Sequence, residues 1–242
     1  MGYIVFHLIF NIIYHIVKSM LNTNNFVDRS KIKPLVLGIA GVAGAGKDTF
    51  FKCLERQIQI KRYSFADILK EEVKEECLDK FGVDPTNCSR SEKGQIRDYL
   101  VSYAKEKRES TDGRYFINKL YHKIKSEGDL NSNICITDVR YADYPLDEVH
   151  FIKKELEGFL VYVQKHKFSL DGCSVVDDPP ANEEEERNNP KLLKAYDYII
   201  DWEHVYKSSE AEIEKAISYH VSDFLICLKR DIRSKGIKIN LQ

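Results

Sequence analysis

The sequence has no excess of charge of one sign. Its 242 residues hold 37 basic and 38 acidic side chains, for a formal net charge of −1, and there is no long basic run or basic tail. A nucleic-acid-binding role therefore lacks its electrostatic footprint. A small anionic ligand needs only a local cluster of cations, which a neutral chain can supply. Metal-ligand spacing is missing too: Cys53, Cys77, Cys88, Cys135, Cys173 and Cys227 form no C-x-x-C pair. Cys135 lies in an apolar run, where a buried free thiol is the ordinary explanation. A reducing, cytoplasmic compartment fits this usage. No internal repeat is visible, and the length suits one full domain with little left for a second.

What is present is concentrated near residue 40. From Gly41 to Lys47 the chain matches the phosphate-binding spacing G-x-x-x-x-G-K, with Gly44, Ala45 and Gly46 inside it and Asp48 and Thr49 after it. The apolar run 35–40 suits a buried parallel strand, and Phe51, Leu54 and Ile58 mark a helix over 48–58. The glycines let successive amides turn inward around a phosphate, and the helix N-terminus adds its dipole. Lys47 is placed to reach β- and γ-phosphates. A glycine-rich turn that binds nothing is the bland reading; Lys directly after the last glycine, between a strand and a helix, speaks against it.

Residues 3–21 are strongly apolar, with His7, Asn11, His15 and Lys18 on one narrow helical stripe. The stretch is short for spanning a bilayer. An interfacial helix making membrane contact, a targeting segment, an extension packed on the domain and a translation start at Met20 all fit. Residues 22–30 read as a polar linker. The expected division is an extension over 1–33, a domain over 34–235 and a tail over 236–242.

Along the domain, strands are expected at 58–66, 134–138, 159–163 and 198–200. Helices are expected at 68–80, 95–108, 115–124, 149–156 and 211–228. Residues 165–190, polar and acidic with Pro179-Pro180, read as a mobile flap. This alternation predicts an α/β fold with a five-stranded parallel sheet flanked by helices and its ligand beyond the strand carboxyl ends.

Asp138 ends an apolar run, as does the acid that holds magnesium through water in loops of this type. Asp48 replaces the usual hydroxyl; it either meets the metal or caps the helix and leaves the contact to Thr49 or Asp138. Arg62, Arg97, Arg108, Arg114, Arg140 and Arg187 lie in or beside segments expected to face the loop. One well-placed arginine can contribute about 10³–10⁵ in phosphoryl-transfer rate, whereas surface arginines in ion pairs contribute little. Arg62, Arg97 and Arg140 have the best positions.

The Gly-Lys-Asp-Thr loop, Ser-Phe-Ala-Asp-Ile-Leu-Lys-Glu-Glu-Val at 64–73, Ile-Thr-Asp-Val-Arg-Tyr at 136–141 and Tyr-Asp-Tyr-Ile-Ile-Asp at 196–201 together resemble the deoxynucleoside monophosphate kinases of bacteriophages and large DNA viruses. The resemblance covers roughly residues 35–205. It implies a P-loop kinase that uses ATP and Mg²⁺ to phosphorylate a small-molecule nucleotide, with no nucleic-acid partner; a homodimer is one assembly it allows. By the resemblance, Gly41 to Thr49 hold ATP, Asp48 and Asp138 serve the metal, and Phe65, Asp67 and Arg62 lie near the acceptor. Lys47, Arg97, Arg108 and Arg140 are the catalytic cations, Arg97 and Arg108 approach the acceptor phosphate, and Glu148 is a partner for Arg140. The flap sequence and the long segment between Arg140 and Glu148 depart from that family. Phe65, Tyr99, Tyr103, Tyr115 and Phe116 are candidates for a base-stacking surface. The same loop occurs in animal-type phosphomevalonate kinases, which the chain resembles at 105–108 and 176–178. That reading stays open, as does a non-catalytic nucleotide-binding module.

Overall fold

Apolar residues at nearly every position leave the first run no solvent face, and it folds as the central strand β1, Val36–Ala40. The computed structural model describes residues 32–168, 175–177, 179–180, 182–203, 208–234, 236 and 238–239. The chain falls into two units, Met1–Ile32 and Lys33–Gln242. The expected apolar N-terminal helix and linker lie outside the described residues, as do residues 237 and 240–242 of the expected tail. Among the described residues, no helix is long and apolar enough to cross a membrane.

After β1 come helix α1, Lys47–Glu55, strand β2, Lys61–Tyr63, and helices α2, Phe65–Glu72, and α3, Lys74–Phe81. Helices α4, Arg90–Glu109, and α5, Arg114–Ser126, lead to strand β3, Ile134–Val139. A short helix α6, Glu148–His150, continues as a π-helical segment, Phe151–Glu155, into strand β4, Phe159–Phe168. Strand β5, Val175–Asp177, helix α7, Glu183–Ala195, strand β6, Tyr198–Glu203, and helix α8, Glu210–Ser234, complete the domain.

Among the described residues five strands run parallel, as expected; their order is β2-β3-β1-β4-β6, and β5 adds a short antiparallel pairing at the end of β4. Val36 to Gly38 pair in register with Ile134 to Ile136, and the register shifts before Ala40 pairs with Val139. Alternate side chains feed two cores, as the period of a strand requires. Leu37, Ile39, Val161 and Val163 pack with Phe50 of α1 and Phe224 of α8. Val36, Ala40, Leu160 and Tyr162 face Phe116 of α5 and Phe151. Buried surface on both faces is what makes a parallel sheet stable here.

Several boundaries differ from expectation for local reasons. The strand predicted through residue 66 stops at Tyr63, because Ser64 caps α2: the Asp67 amide donates to Ser64 Oγ at 3.2 Å. The single helix expected over 68–80 is two helices, broken at Val73. Helix α4 begins five residues early, at a capping box between Ser89 and Glu92. The expected flap is strand through Phe168 and helix from Glu183, with Pro190 inside that helix; residues 169–174, 178 and 181 lie outside the described residues.

Candidate functional site

The segments that follow β1, β2 and β3 meet at the carboxyl ends of the sheet, where ligands of parallel sheets bind. The first is the glycine-rich loop. Gly41, Gly44 and Gly46 all have positive φ, 140°, 82° and 93°. At Gly41 a Cβ would come within 2.2 Å of the Val163 carbonyl oxygen, so this position admits only glycine. Gly46 opens α1 in a left-handed conformation, and the Phe50 amide donates to its carbonyl at 2.8 Å. Ala45 is buried, and its carbonyl accepts from Trp202 Nε1 at 2.8 Å.

Lys47 Nζ donates to the Gly41 and Val42 carbonyls at 2.6 and 2.8 Å. Burial, then the nearby Arg140 charge, lowers its pKa to about 8. Asp48 is exposed on the first turn of α1, and Thr49 is half-buried beside it. Asp138 makes contacts that the sequence did not reveal. Ser64 Oγ donates to Asp138 Oδ2 at 2.9 Å, and the Phe65 and Ala66 amides donate to its two oxygens at 2.9 and 2.8 Å. It therefore ties β3 to the start of α2.

A cavity of ≈ 190 Å³ opens beside these residues, with Phe65, Leu69, Leu100 and Phe116 as apolar walls. Lys93, Arg97, Leu100, Ala104 and Arg108 line it from one face of α4, at helical spacing. Lys70 and Arg140 also border it, and neither they nor Lys93 and Arg97 pair with a carboxylate among the described residues. Burial, then the Lys70, Arg140 and Arg97 charges, holds the Lys93 ammonium below the ordinary lysine value. Sequence reasoning found Arg97 and Arg140 but not Lys70 or Lys93. The i, i+4 step from Lys93 to Arg97 was the signal available.

The other candidates are placed differently. Arg62 pairs with Asp67 at 2.6 Å, and both line a separate hollow of ≈ 240 Å³ with Ser64 and Ile68. Neither Arg62 nor Asp67, expected near the acceptor, lines the cavity beside Asp138. Arg108 borders the cavity, but its guanidinium grips Asp147 through two hydrogen bonds, 3.1 and 2.9 Å, and stacks 3.5 Å above the Tyr141 ring. Arg114 binds the Leu146 carbonyl and Glu155, and Arg187 binds Asp143. Tyr103 and Tyr115 donate to Glu72, and Tyr99 to Glu76. Of the five aromatic candidates, Phe65 and Phe116 reach the cavity wall.

Glu148 is buried at the cavity floor and accepts from the Arg140 and Tyr141 amides at 2.7 and 3.0 Å. Its contact with Arg140 is to the backbone amide, not to the guanidinium it was expected to partner. Burial pushes its pKa up to about 8; the Arg108 charge, 3.6 Å away, opposes this but already serves Asp147.

No protein-family model and no curated protein matches the chain. Among solved structures it is similar to the dephospho-CoA kinase from Campylobacter jejuni, at 14% identity and a TM-score of 0.42 over 83% of this chain and 98% of that one. It is also similar to the shikimate kinase from Aquifex aeolicus, at 14% identity and a TM-score of 0.36 over 81% and 98%. A third is the APS kinase from Mycobacterium tuberculosis, at 10% identity and a TM-score of 0.32 over 79% and 99%.

Proposed function

We propose that this chain is an ATP- and Mg²⁺-dependent kinase that transfers a phosphoryl group to a deoxynucleoside monophosphate, giving the diphosphate. The observation that carries this reading is the cavity at the end of β3, apolar on its walls and bordered by Lys70, Lys93, Arg97 and Arg140, with the Arg140 charge reaching Lys47 of the glycine-rich loop. A flat, largely apolar ring suits the walls between Phe65 and Phe116, and a phosphate dianion suits the cations.

In this reading the loop amides and Lys47 hold the donor's β- and γ-phosphates. The transferring group spreads its charge over three equatorial oxygens. Lys47 and Arg140, close enough to depress the Lys47 pKa, would flank it. Arg97 and Lys93 hold the acceptor phosphate, whose oxygen forms the new bond to the γ-phosphorus as the bond to the ADP oxygen breaks. An acceptor dianion has no proton to lose, so no general base is required. A bound magnesium ion would offset the charge of the donor's phosphates. The residues fit that ion: the Asp48 carboxylate and Thr49 hydroxyl would hold it. Asp138, already accepting three hydrogen bonds, would act through water, consistent with magnesium's retention of its waters.

Lys70 favours a second reading, because the first gives it no phosphate to hold. An acceptor with a further anionic group, such as the carboxylate of phosphomevalonate, would use it. A coupled ADP-release assay of the full chain across dAMP, dCMP, dGMP, dTMP and phosphomevalonate separates the readings. Turnover with a deoxynucleotide is the expected result. Turnover with phosphomevalonate alone would replace the first reading, and none with any acceptor would leave a nucleotide-binding module.

A further inference from the structure

The acidic start of α7 touches the site at two points. The Ala43 amide donates to Glu185 Oε2 at 3.2 Å, and the Tyr141 hydroxyl donates to Glu184 Oε2 at 2.6 Å. Ala43 lies inside the glycine-rich loop, among the amides that curl around a phosphate. A carboxylate oxygen there is chemically a stand-in for a phosphate oxygen: an anion accepting from the same donor. The Glu185 charge also acts on Lys47, raising its pKa against the effect of burial.

The helix is fixed so that this turn faces the loop. Asn188 Nδ2 donates to Asp143 at 3.0 Å, and the Ala142 amide donates to Asn188 Oδ1 at 3.1 Å. Arg187 and Lys191 pair with Asp143 at 2.9 and 2.6 Å. The Glu184 bond to Tyr141 orients the first turn itself. Glu183 and Glu186 share that turn but are exposed.

We propose that Glu185 is a built-in competitor for the donor nucleotide's phosphates, so that binding at the loop requires its displacement. This rests on reading the loop as the nucleotide site. It makes α7 an element that responds to occupancy of the loop, and it sets nucleotide affinity below what the amides and Lys47 alone would give.

Trp202 supplies a readout, because it is the single tryptophan of the chain and its Nε1 donates to the Ala45 carbonyl. Its emission, with calorimetry in parallel, gives the affinity of the full chain for MgADP. Glu185→Gln should bind about ten-fold tighter than wild type, the scale of one charge-assisted hydrogen bond. Glu185→Asp, which keeps the charge but shortens the reach, should also tighten binding. Glu186→Gln should stay within about two-fold of wild type, since exposed charges are screened. Equal gains from the Glu185 and Glu186 variants, or no gain from Glu185→Gln, would overturn the proposal while leaving the nucleotide site standing. If no protein binds MgADP by either method, the reading of the loop falls, and this inference with it.

Discussion

Arg108 and Glu148 show how one guanidinium is divided between two buried carboxyls. Arg108 makes its hydrogen bonds to Asp147, leaving Glu148 with charge contact at 3.6 Å and two backbone donors. Glu148 therefore titrates late, at about 8. The folded protein holds a proton there that the unfolded chain has lost above its ordinary value of 4.5. The resulting stabilisation is complete below that value and is lost as pH rises through about 8. Urea midpoints at pH 5 and pH 8.5 should fall more for wild type than for Glu148→Gln, which keeps an acceptor for the two amides. Equal falls would exclude this titration. Arg108→Leu should cost about 3–5 kcal/mol in urea unfolding, because Asp147 would be left buried without its partner; a cost below about 1 kcal/mol would return Arg108 to the acceptor role the sequence suggested. That role came from the family resemblance; the grip of Asp147, 39 residues away, was not readable in the sequence. Spacing along a helix shows which face a residue occupies, not which distant side chain meets it.

At the scale of elements, the glycine-rich loop was the most legible part of the chain, and its geometry explains why. Three glycines with positive φ and a lysine at fixed spacing form a local pattern, and local patterns survive in sequence. The closeness of Gly41 to β4 is not local: the Val163 carbonyl occupies the space a side chain would need. Gly41→Ala should destabilise the protein by roughly 2–4 kcal/mol, through backbone strain and displacement of β4. An unchanged urea midpoint would show that the loop has room the structure does not. The capping signals around α2 and α4, Ser64 and the Ser89–Glu92 pair, were also local and readable, yet the boundaries were set by apolar runs instead. For α2 the cap serves the site as well. It receives the Asp67 amide on one side and donates to Asp138 on the other, so the helix start and the strand end that flank the cavity are one hydrogen-bonded unit.

At the scale of the whole domain, alternating apolar runs and amphipathic helices were enough to anticipate five parallel strands, because burial on both faces forces nearly continuous apolar strands. The short antiparallel β5 was not anticipated; its three residues carry too little pattern to distinguish a strand from a loop. The order β2-β3-β1-β4-β6 brings the loop after β1 beside the end of β3, and so sets Lys47 near Arg140 across from the α4 cations. Phosphoryl transfer at this junction, as proposed above, is measured by ³¹P NMR of the full chain mixed with MgATP and the four deoxynucleoside monophosphates. ATP signals should decline while those of ADP and one new deoxynucleoside diphosphate grow together. Lys47→Ala, folded by circular dichroism, should produce neither. Equal transfer by wild type and Lys47→Ala, or ATP loss that yields ADP and inorganic phosphate with no deoxynucleoside diphosphate, would contradict it.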